Sequence, residues 1–408
     1  MRIAIAGETY YPGVNGQAAF TIHLAEGLAQ AGHTVMVIVP SERFTTYTEE
    51  IHGVLVQKIA GMNWTRFHPE AFISLPNFGI GRMLDQFQPD IVHIQDHYIV
   101  SHLVIWAARR RHIASLGTNH FLPDNLFPYI AFLPLPISFK SAVLWKIMLD
   151  VYNLLDAATT PTETAAGILR QQAIHIPVTT ISCGVDTHQF HPDPGVDRAA
   201  MRRKYGLDPN RALLLYIGRI DGEKRLEVLL RALVKAGRED VQLAIAGRGM
   251  HLPYLRNLAA QLNLGDKVVF TGYIPVEDKP ALINSADIFA MPSIAELQSI
   301  ATLEAMATAK PVLAANARAL PELVAPGVNG TLFKADDVED AARGINELVE
   351  DRSRWGEMGQ ASLARVQPHS LDNTIRRYSD LYRSLIEARG AVPVDKSRKK
   401  KGRLADSE

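Results

Sequence analysis

The 408-residue chain has a single cysteine, Cys183, and no surplus of either charge, with 43 Lys+Arg against 43 Asp+Glu. One cysteine forms neither an internal disulfide nor a cysteine-based zinc site, which fits a reducing compartment. Balanced charge argues against a dedicated nucleic-acid binder, which carries a basic excess. Long apolar runs are also missing, and none reaches the roughly 18–20 residues that cross a bilayer. The nearest, 126–149, is broken by Pro128, Pro134, Pro136, Lys140 and Lys146. The opening Met1-Arg2-Ile3-Ala4-Ile5-Ala6-Gly7 is too short and turns polar too soon for a signal peptide, and reads as a buried strand. No Asp-x-Asp pair occurs, and no His/carboxylate cluster has metal-ligand spacing, so no bound metal is expected. The chain is expected not to be integral to a membrane, which leaves it able to lie on one.

Hydrophobic residues make up 47% of the chain, the proportion of an ordinary globular enzyme, and the length suggests two or three domains. Short Val/Ile/Ala-rich runs alternate with amphipathic segments, the pattern of parallel sheets covered by helices. Strands are expected near 3–7, 35–39, 54–59, 91–94, 115–119, 157–160 and 179–183, then near 213–218, 242–246, 268–271, 288–291 and 311–314. Helical periodicity is clearest over 17–31, 223–236, 252–262 and 302–309. A polar, proline-bearing stretch after Gly184-Val185-Asp186 marks a boundary. The reading is an α/β chain of two Rossmann-like doubly wound domains, 1–184 and 185–370, facing across a cleft. A last helix, 371–389, is expected to cross back to the first domain. The tail 390–408, with six Lys/Arg and three Asp/Glu, is expected to be disordered.

Four stretches carry candidate chemistry. Tyr11-Pro12-Gly13-Val14-Asn15-Gly16 follows the first strand and opens a helix, a place where backbone N–H groups approach an anion. The same residues also suit a simple tight turn, and the spacing is not that of a dinucleotide fingerprint. Gly218-Arg219-Ile220-Asp221-Gly222-Glu223-Lys224 sets an Arg and a Lys at a strand-to-helix junction, where both reach a diphosphate. Cations at a helix start oppose its dipole, a conflict that an anionic ligand would relieve. Ala246-Gly247-Arg248-Gly249-Met250 follows the next strand and borders the same place. In 292–307, Glu296 ends a strand and Glu304 sits in a helix of small apolar residues. A carboxylate buried there needs a partner, and the paired hydroxyls of a sugar or ribose supply one.

Glu296-x7-Glu304 with Ala305-Met306-Ala307 and Lys310-Pro311-Val312 resembles the retaining glycosyltransferases of family 4, which have the two-domain GT-B fold. Tyr11–Gly16 is similar to that family's glycine loop, Gly218-Arg219 with Lys224 to its diphosphate clamp, and Cys183-Gly184-Val185-Asp186 with Phe190 to its interdomain crossing. The resemblance covers nearly the whole chain. It implies a nucleotide-diphosphate sugar as co-substrate, no cofactor and no metal. Gly16 would offer its N–H to the donor phosphates, and Arg219 and Lys224 would stabilise the leaving diphosphate. Glu304 would hold the ribose hydroxyls and Glu296 the donor sugar. The backbone of Gln298, Ser299 and Ile300 would face sugar and phosphates, although the family often has glycine where Ser299 stands. Arg248, Gly249, Met250 and Tyr273 would border the base. His120 is the candidate catalytic histidine, placed to hydrogen-bond the transferring sugar and assist with its charge. His93 and His97 read as structural or cleft-lining. No nucleophile is evident, and the resemblance favours same-face attack.

The acceptor is approached through 126–149, where Phe127, Tyr129, Phe132, Leu133, Leu135, Phe139 and Trp145 stand with two lysines. Such a mixture suits a membrane interface or, equally, a core helix and a loop. Trp106 with Arg109-Arg110-Arg111-His112 is a second candidate patch, or a solvated helix end. His120-Phe121-Leu122-Pro123-Asp124-Asn125-Leu126 resembles the diacylglycerol glycosyltransferases of the family. The expectation is a peripheral enzyme at the inner face of the cell membrane that glycosylates a lipid such as diacylglycerol or a glycosyldiacylglycerol. The basic tail would add about 1 kcal/mol per cationic residue near anionic lipid, lost with salt. The alternatives are a GDP-mannose-dependent transferase on a phosphoinositide, polyprenol-linked or soluble acceptor, a GT-B sugar-nucleotide epimerase, and a non-catalytic nucleotide-sugar binder.

Overall fold

The computed structural model describes residues 1–11, 15–63, 72–74, 79–123 and 135–391. The first half contains β1 (Arg2–Ala6), α1 (Gly16–Gln30), β2 (Thr34–Pro40), β3 (Tyr47–Ile51), β4 (Val54–Ile59), the short pair β5 (Gly61–Asn63) and β6 (Phe72–Ser74), α2 (Ile80–Phe87), β7 (Ile91–Ile94), α3 (Ile99–Arg110), β8 (Ala114–Thr118), α4 (Ile137–Tyr152), β9 (Ala157–Thr160), α5 (Glu163–Arg170) and β10 (Val178–Thr180). Eight strands form one sheet in the order β10-β9-β8-β7-β1-β2-β4-β3. All its pairings are parallel except that of β3 with β4. The central strands are apolar on both faces because helices cover both, which is why they read as continuous hydrophobic runs. Edge strand β3 (Tyr-Thr-Glu-Glu-Ile) is half exposed, and its polar residues left no such run in the sequence.

The second half contains α6 (Arg198–Lys204), β11 (Ala212–Ile217), α7 (Leu226–Ala236), β12 (Val241–Ala246), α8 (Leu252–Gln261), β13 (Val268–Gly272), α9 (Lys279–Ser285), β14 (Ile288–Met291), α10 (Ile300–Ala307), β15 (Val312–Asn316), α11 (Leu320–Leu323), β16 (Gly330–Lys334), α12 (Val338–Glu350) and α13 (Trp355–Val366). Its six strands run in the order β13-β12-β11-β14-β15-β16, all parallel. Two expectations change here. The helix expected from 223 is a 3₁₀ turn, Gly222–Lys224, then a left-handed residue, Arg225 (φ 51°), before α7 begins at Leu226. The final helix, α14 (Leu371–Ala391), includes Gly390 and Ala391, which the sequence assigned to a disordered tail, whereas 392–408 lies outside the described residues.

The chain passes between the halves twice, and the two crossings touch. Val185 N–H donates to His369 O (2.9 Å) and Leu371 N–H to Val185 O (2.8 Å). Gly184 has φ +80°, and a Cβ there would lie 2.9 Å from Thr374 Oγ1, so the crossing requires glycine. The second crossing delivers α14 to the first half, where Ile375, Tyr378 and Tyr382 are buried in the core beside α1. His93 joins β7 to this helix, with Nδ1 2.7 Å from Tyr382 Oη and Nε2 2.7 Å from Thr118 Oγ1. Tyr378 Oη lies 3.1 Å from both Thr118 Oγ1 and Thr159 Oγ1.

Candidate functional site

At the carboxyl ends of β11 and β12 two loops lie backbone to backbone. Ile220 N–H donates to Arg248 O (2.8 Å), and His251 N–H returns a bond to Ile220 O (2.9 Å). Gly249 permits this approach, since a Cβ on it would fall 2.2 Å from Ile220 O. On these loops Arg219 pairs with Asp221 and, at 3.0 Å, with Glu223. Lys224 Nζ lies 2.6 Å from Glu296 Oε1, with 16% and 11% of the two side chains exposed. The conflict between cations and a helix dipole is therefore met by neighbouring carboxylates, and α7 itself starts two residues later. Met250 N–H donates to Asp221 Oδ1 (3.1 Å), and the Arg248 guanidinium sits 5.4 Å from the centre of the Tyr273 ring. Met250 and Tyr273 are exposed, at 65% and 45%.

Glu304 is buried in α10, and both its oxygens meet Lys279 Nζ, at 2.7 and 2.6 Å. Sequence reasoning sought its partner in a ligand, whereas the protein supplies one from α9. Lys279 carried a readable signal: it too is a cation at a helix start, the conflict noted for Arg219 and Lys224. From the first half, His23 on α1 feels the charges of Glu304, Asp186, Glu26 and Lys279, and burial lowers its pKa despite the three carboxylates. Ser299 caps α10, its Oγ accepting from Thr302 N (3.3 Å), and Ile300 begins that helix and packs against the first half's core. Gln298 points its side chain away, into the crossing at Ser182-Cys183.

Gly16 is the first residue of α1, and Asn15 caps the helix by accepting from Ala18 N (2.9 Å). Among the described residues no atom lies within 4 Å of where a Gly16 Cβ would stand; Pro12, Gly13 and Val14 are outside those residues. Nearby, Asp96 is buried with both oxygens engaged. Oδ2 accepts from Glu8 N (2.7 Å) and Gln17 Nε2 (3.0 Å), and Oδ1 from Ser101 Oγ (2.7 Å) and Tyr98 N (3.1 Å). His120 lies between Gln95, with Nε2 2.8 Å from Oε1, and the Phe20 ring, 4.7 Å away between centroids. Burial pushes its pKa down to about 3, so it is neutral at physiological pH. As a neutral ring His120 offers hydrogen bonds through its two nitrogens, one of them already turned to Gln95. His97 is buried against Tyr98 and Phe121, and burial lowers its pKa also.

The acceptor patches divide. Phe127, Tyr129, Phe132 and Leu133 lie outside the described residues. Trp145 is a core residue, 8% exposed, which removes it from any interfacial set. Leu135, Ile137, Phe139, Val143 and Ile147 are exposed, three of them at four-residue intervals along α4. Trp106 is 53% exposed beneath the Arg110 guanidinium (3.6 Å), while Arg111 is taken by Asp85 (2.6 and 2.8 Å). Among the described residues, no helix is long and apolar enough to cross a membrane.

Comparison with known proteins agrees with this architecture. The model for Glycosyltransferase Family 4 matches residues 14–189, and that for Glycosyl transferases group 1 matches residues 197–363. A GDP-mannose-dependent alpha-mannosyltransferase of Corynebacterium glutamicum is 26% identical over 97% of this chain and 91% of its own. An alpha-monoglucosyldiacylglycerol synthase of Streptococcus pneumoniae is 25% identical over 86% of this chain and 78% of its own. Among solved structures, Anabaena HepE in complex with UDP-glucose superposes with a TM-score of 0.75 at 17% identity, covering 94% of this chain and all of that one. Two parallel-sheet domains joined by a double crossing, matched by both family models in order, make this chain a family 4 glycosyltransferase of the GT-B fold, an enzyme that transfers a sugar.

Proposed function

We propose that the chain is a retaining, metal-independent hexosyltransferase that moves a sugar from a nucleotide-diphosphate donor, UDP-glucose or a close analogue, to a membrane lipid such as diacylglycerol or a glycosyldiacylglycerol. The observation that carries the donor side is the 2.6 Å contact of Lys224 with Glu296. A cation for the diphosphate and a carboxylate for the sugar hydroxyls stand side by side, as the two ends of a sugar–phosphate bond require. Arg219 joins Lys224 in neutralising the leaving diphosphate, in place of a divalent ion. Glu304 takes the ribose and His120 hydrogen-bonds the sugar as a neutral ring. In same-face attack the acceptor hydroxyl bonds to the anomeric carbon, the bond to the diphosphate breaks, and the proton passes to the departing phosphate oxygen.

The lipid acceptor is supported by the exposed apolar stripe of α4 with Lys140 and Lys146, and it goes with peripheral binding at the inner face of the cell membrane. A second reading, GDP-mannose as donor with a phosphoinositide, polyprenol-linked or soluble acceptor, is favoured by the mannosyltransferase relative. A screen of UDP- and GDP-sugars against extracted lipids, read by product mass, separates the two. Release of free nucleotide diphosphate without added acceptor would overturn the lipid reading, and epimerised donor would overturn transfer itself.

A further inference from the structure

Between Glu296 and the cap of α10 the chain turns two consecutive side chains out of its own half. Leu297 is 4% exposed and belongs to the first half's core, with Leu122, Trp145 and Leu149, and its carbonyl accepts from Thr162 Oγ1 (2.7 Å). Gln298, also buried, reaches the crossing. Its Oε1 accepts from Cys183 N (2.7 Å) and Ser182 Oγ (3.1 Å). Its Nε2 lies 3.5 Å from Pro161 O and 3.5 Å from His369 Nδ1, and that nitrogen is 3.0 Å from Ser182 Oγ. One amide thus touches the outgoing crossing, the returning crossing and the end of β9. An apolar side chain would fill the same space. Only an amide both satisfies the Cys183 N–H, for which the described residues supply no other partner, and turns an N–H toward Pro161 O on the other side.

We propose that Gln298 is a positioning residue that couples the crossing to the donor loop, so that the loop takes its working geometry only when the crossing is closed. This rests on the reading of Glu296–Ile300 as the segment facing the donor sugar. With Leu297 and Gln298 anchored outside their own domain, any rotation about the two crossings displaces Glu296 on one side and the backbone N–H groups of Ser299 and Ile300 on the other. Domain closure and sugar alignment are then one event, and water is excluded from the donor once both are complete.

The test compares wild type with Gln298→Leu, which keeps size and loses the amide, and Gln298→Glu, which keeps the acceptor for Cys183 N–H. Turnover, donor KM, affinity for UDP and GDP, and hydrogen exchange over 179–187 are measured for each. The expected result for Gln298→Leu is a turnover at least tenfold lower, nucleotide affinity within threefold of wild type, and loss of nucleotide-induced exchange protection at the crossing. Gln298→Glu is expected to recover part of both turnover and protection. Equal impairment of the two variants, or turnover of Gln298→Leu within twofold of wild type, overturns the coupling. Failure of Gln298→Leu to fold leaves Ser182→Ala, which removes one contact at the crossing and is expected to lower protection and turnover together; a fall in neither overturns it. If wild type binds neither nucleotide, the donor-site reading fails and the coupling with it; if it binds both without protecting the crossing, the coupling alone fails.

Discussion

The two sides of the cleft handle polarity in opposite ways. On the second half the lysines and Arg219 at this edge are each held by a carboxylate: Arg219 by Asp221 and Glu223, Lys224 by Glu296, and Lys279 by Glu304. On the first half a fully engaged carboxylate, Asp96, stands beside histidine and amide side chains whose polar atoms are only partly used. Burial lowers the pKa of both His120 and His97, and Gln95 Nε2, His97 Nδ1 and Asn119 Oδ1 are buried without hydrogen-bond partners among the described residues. A paired site holds its charged groups in place before a diphosphate arrives, so little reorganisation is left for the reaction. Unused amide and imidazole atoms suit an uncharged hydroxyl-bearing group, to which they offer hydrogen bonds that water would otherwise make.

Breaking the paired side should give the largest effect. Lys224→Ala removes the cation from the leaving group and strands Glu296, so turnover should drop about 100- to 1,000-fold, with a smaller change in donor KM. Steady-state kinetics at saturating acceptor check this, and unchanged turnover would falsify the clamp assignment. The next effect is on stability: Lys279→Met leaves the buried Glu304 carboxylate unpaired and should lower unfolding free energy by about 3 kcal/mol. Adding Glu304→Gln should restore most of that in urea titration while nucleotide affinity stays low, which separates the structural pair from the proposed ligand role.

Acid should discriminate the neutral side. An unfolded histidine takes its proton near pH 6.5 but folded His120 only near 3, so its contribution is whole above 6.5 and is lost as pH falls. Between pH 7 and 5 this amounts to about 2 kcal/mol, and His120→Phe should flatten that part of the stability profile. The smallest effect belongs to the outer surface. Val143→Asp with Ile147→Asp should reduce sedimentation with anionic vesicles severalfold at low salt and leave UDP or GDP affinity untouched. Equal sedimentation of the variant and wild type would detach α4 from membrane contact.

Much of the scaffold was readable because strands buried on both faces must be apolar along their whole length. β3 and β16 were missed for the converse reason: β3 alternates, and β16 (Gly-Thr-Leu-Phe-Lys) has no β-branched aliphatic run. Within the site, Arg219, Lys224, Glu296 and Glu304 were legible as charges in costly places. The pairings were not, because Glu296 lies 72 residues from Lys224 and Lys279 lies 25 from Glu304 in the chain. The direction of the Gln298 side chain had no signature at all, since a glutamine facing a donor and one facing a crossing are spelled alike. The break at Arg225 was equally silent, its left-handed backbone being carried by a residue other than glycine.

The docking of α14 on the first half has a consequence for how the protein is made. The core around β7 and α1 is closed by Tyr378 and Tyr382, which emerge from the ribosome roughly 200 residues after β10, on the order of 10–40 s later at ordinary elongation rates. During that interval His93, Thr118 and Thr159 wait for the hydroxyls that will satisfy them. The nascent first half is thereby held short of its final form until the whole second half has been synthesised. A prematurely ended chain would have both sheets and no finished enzyme.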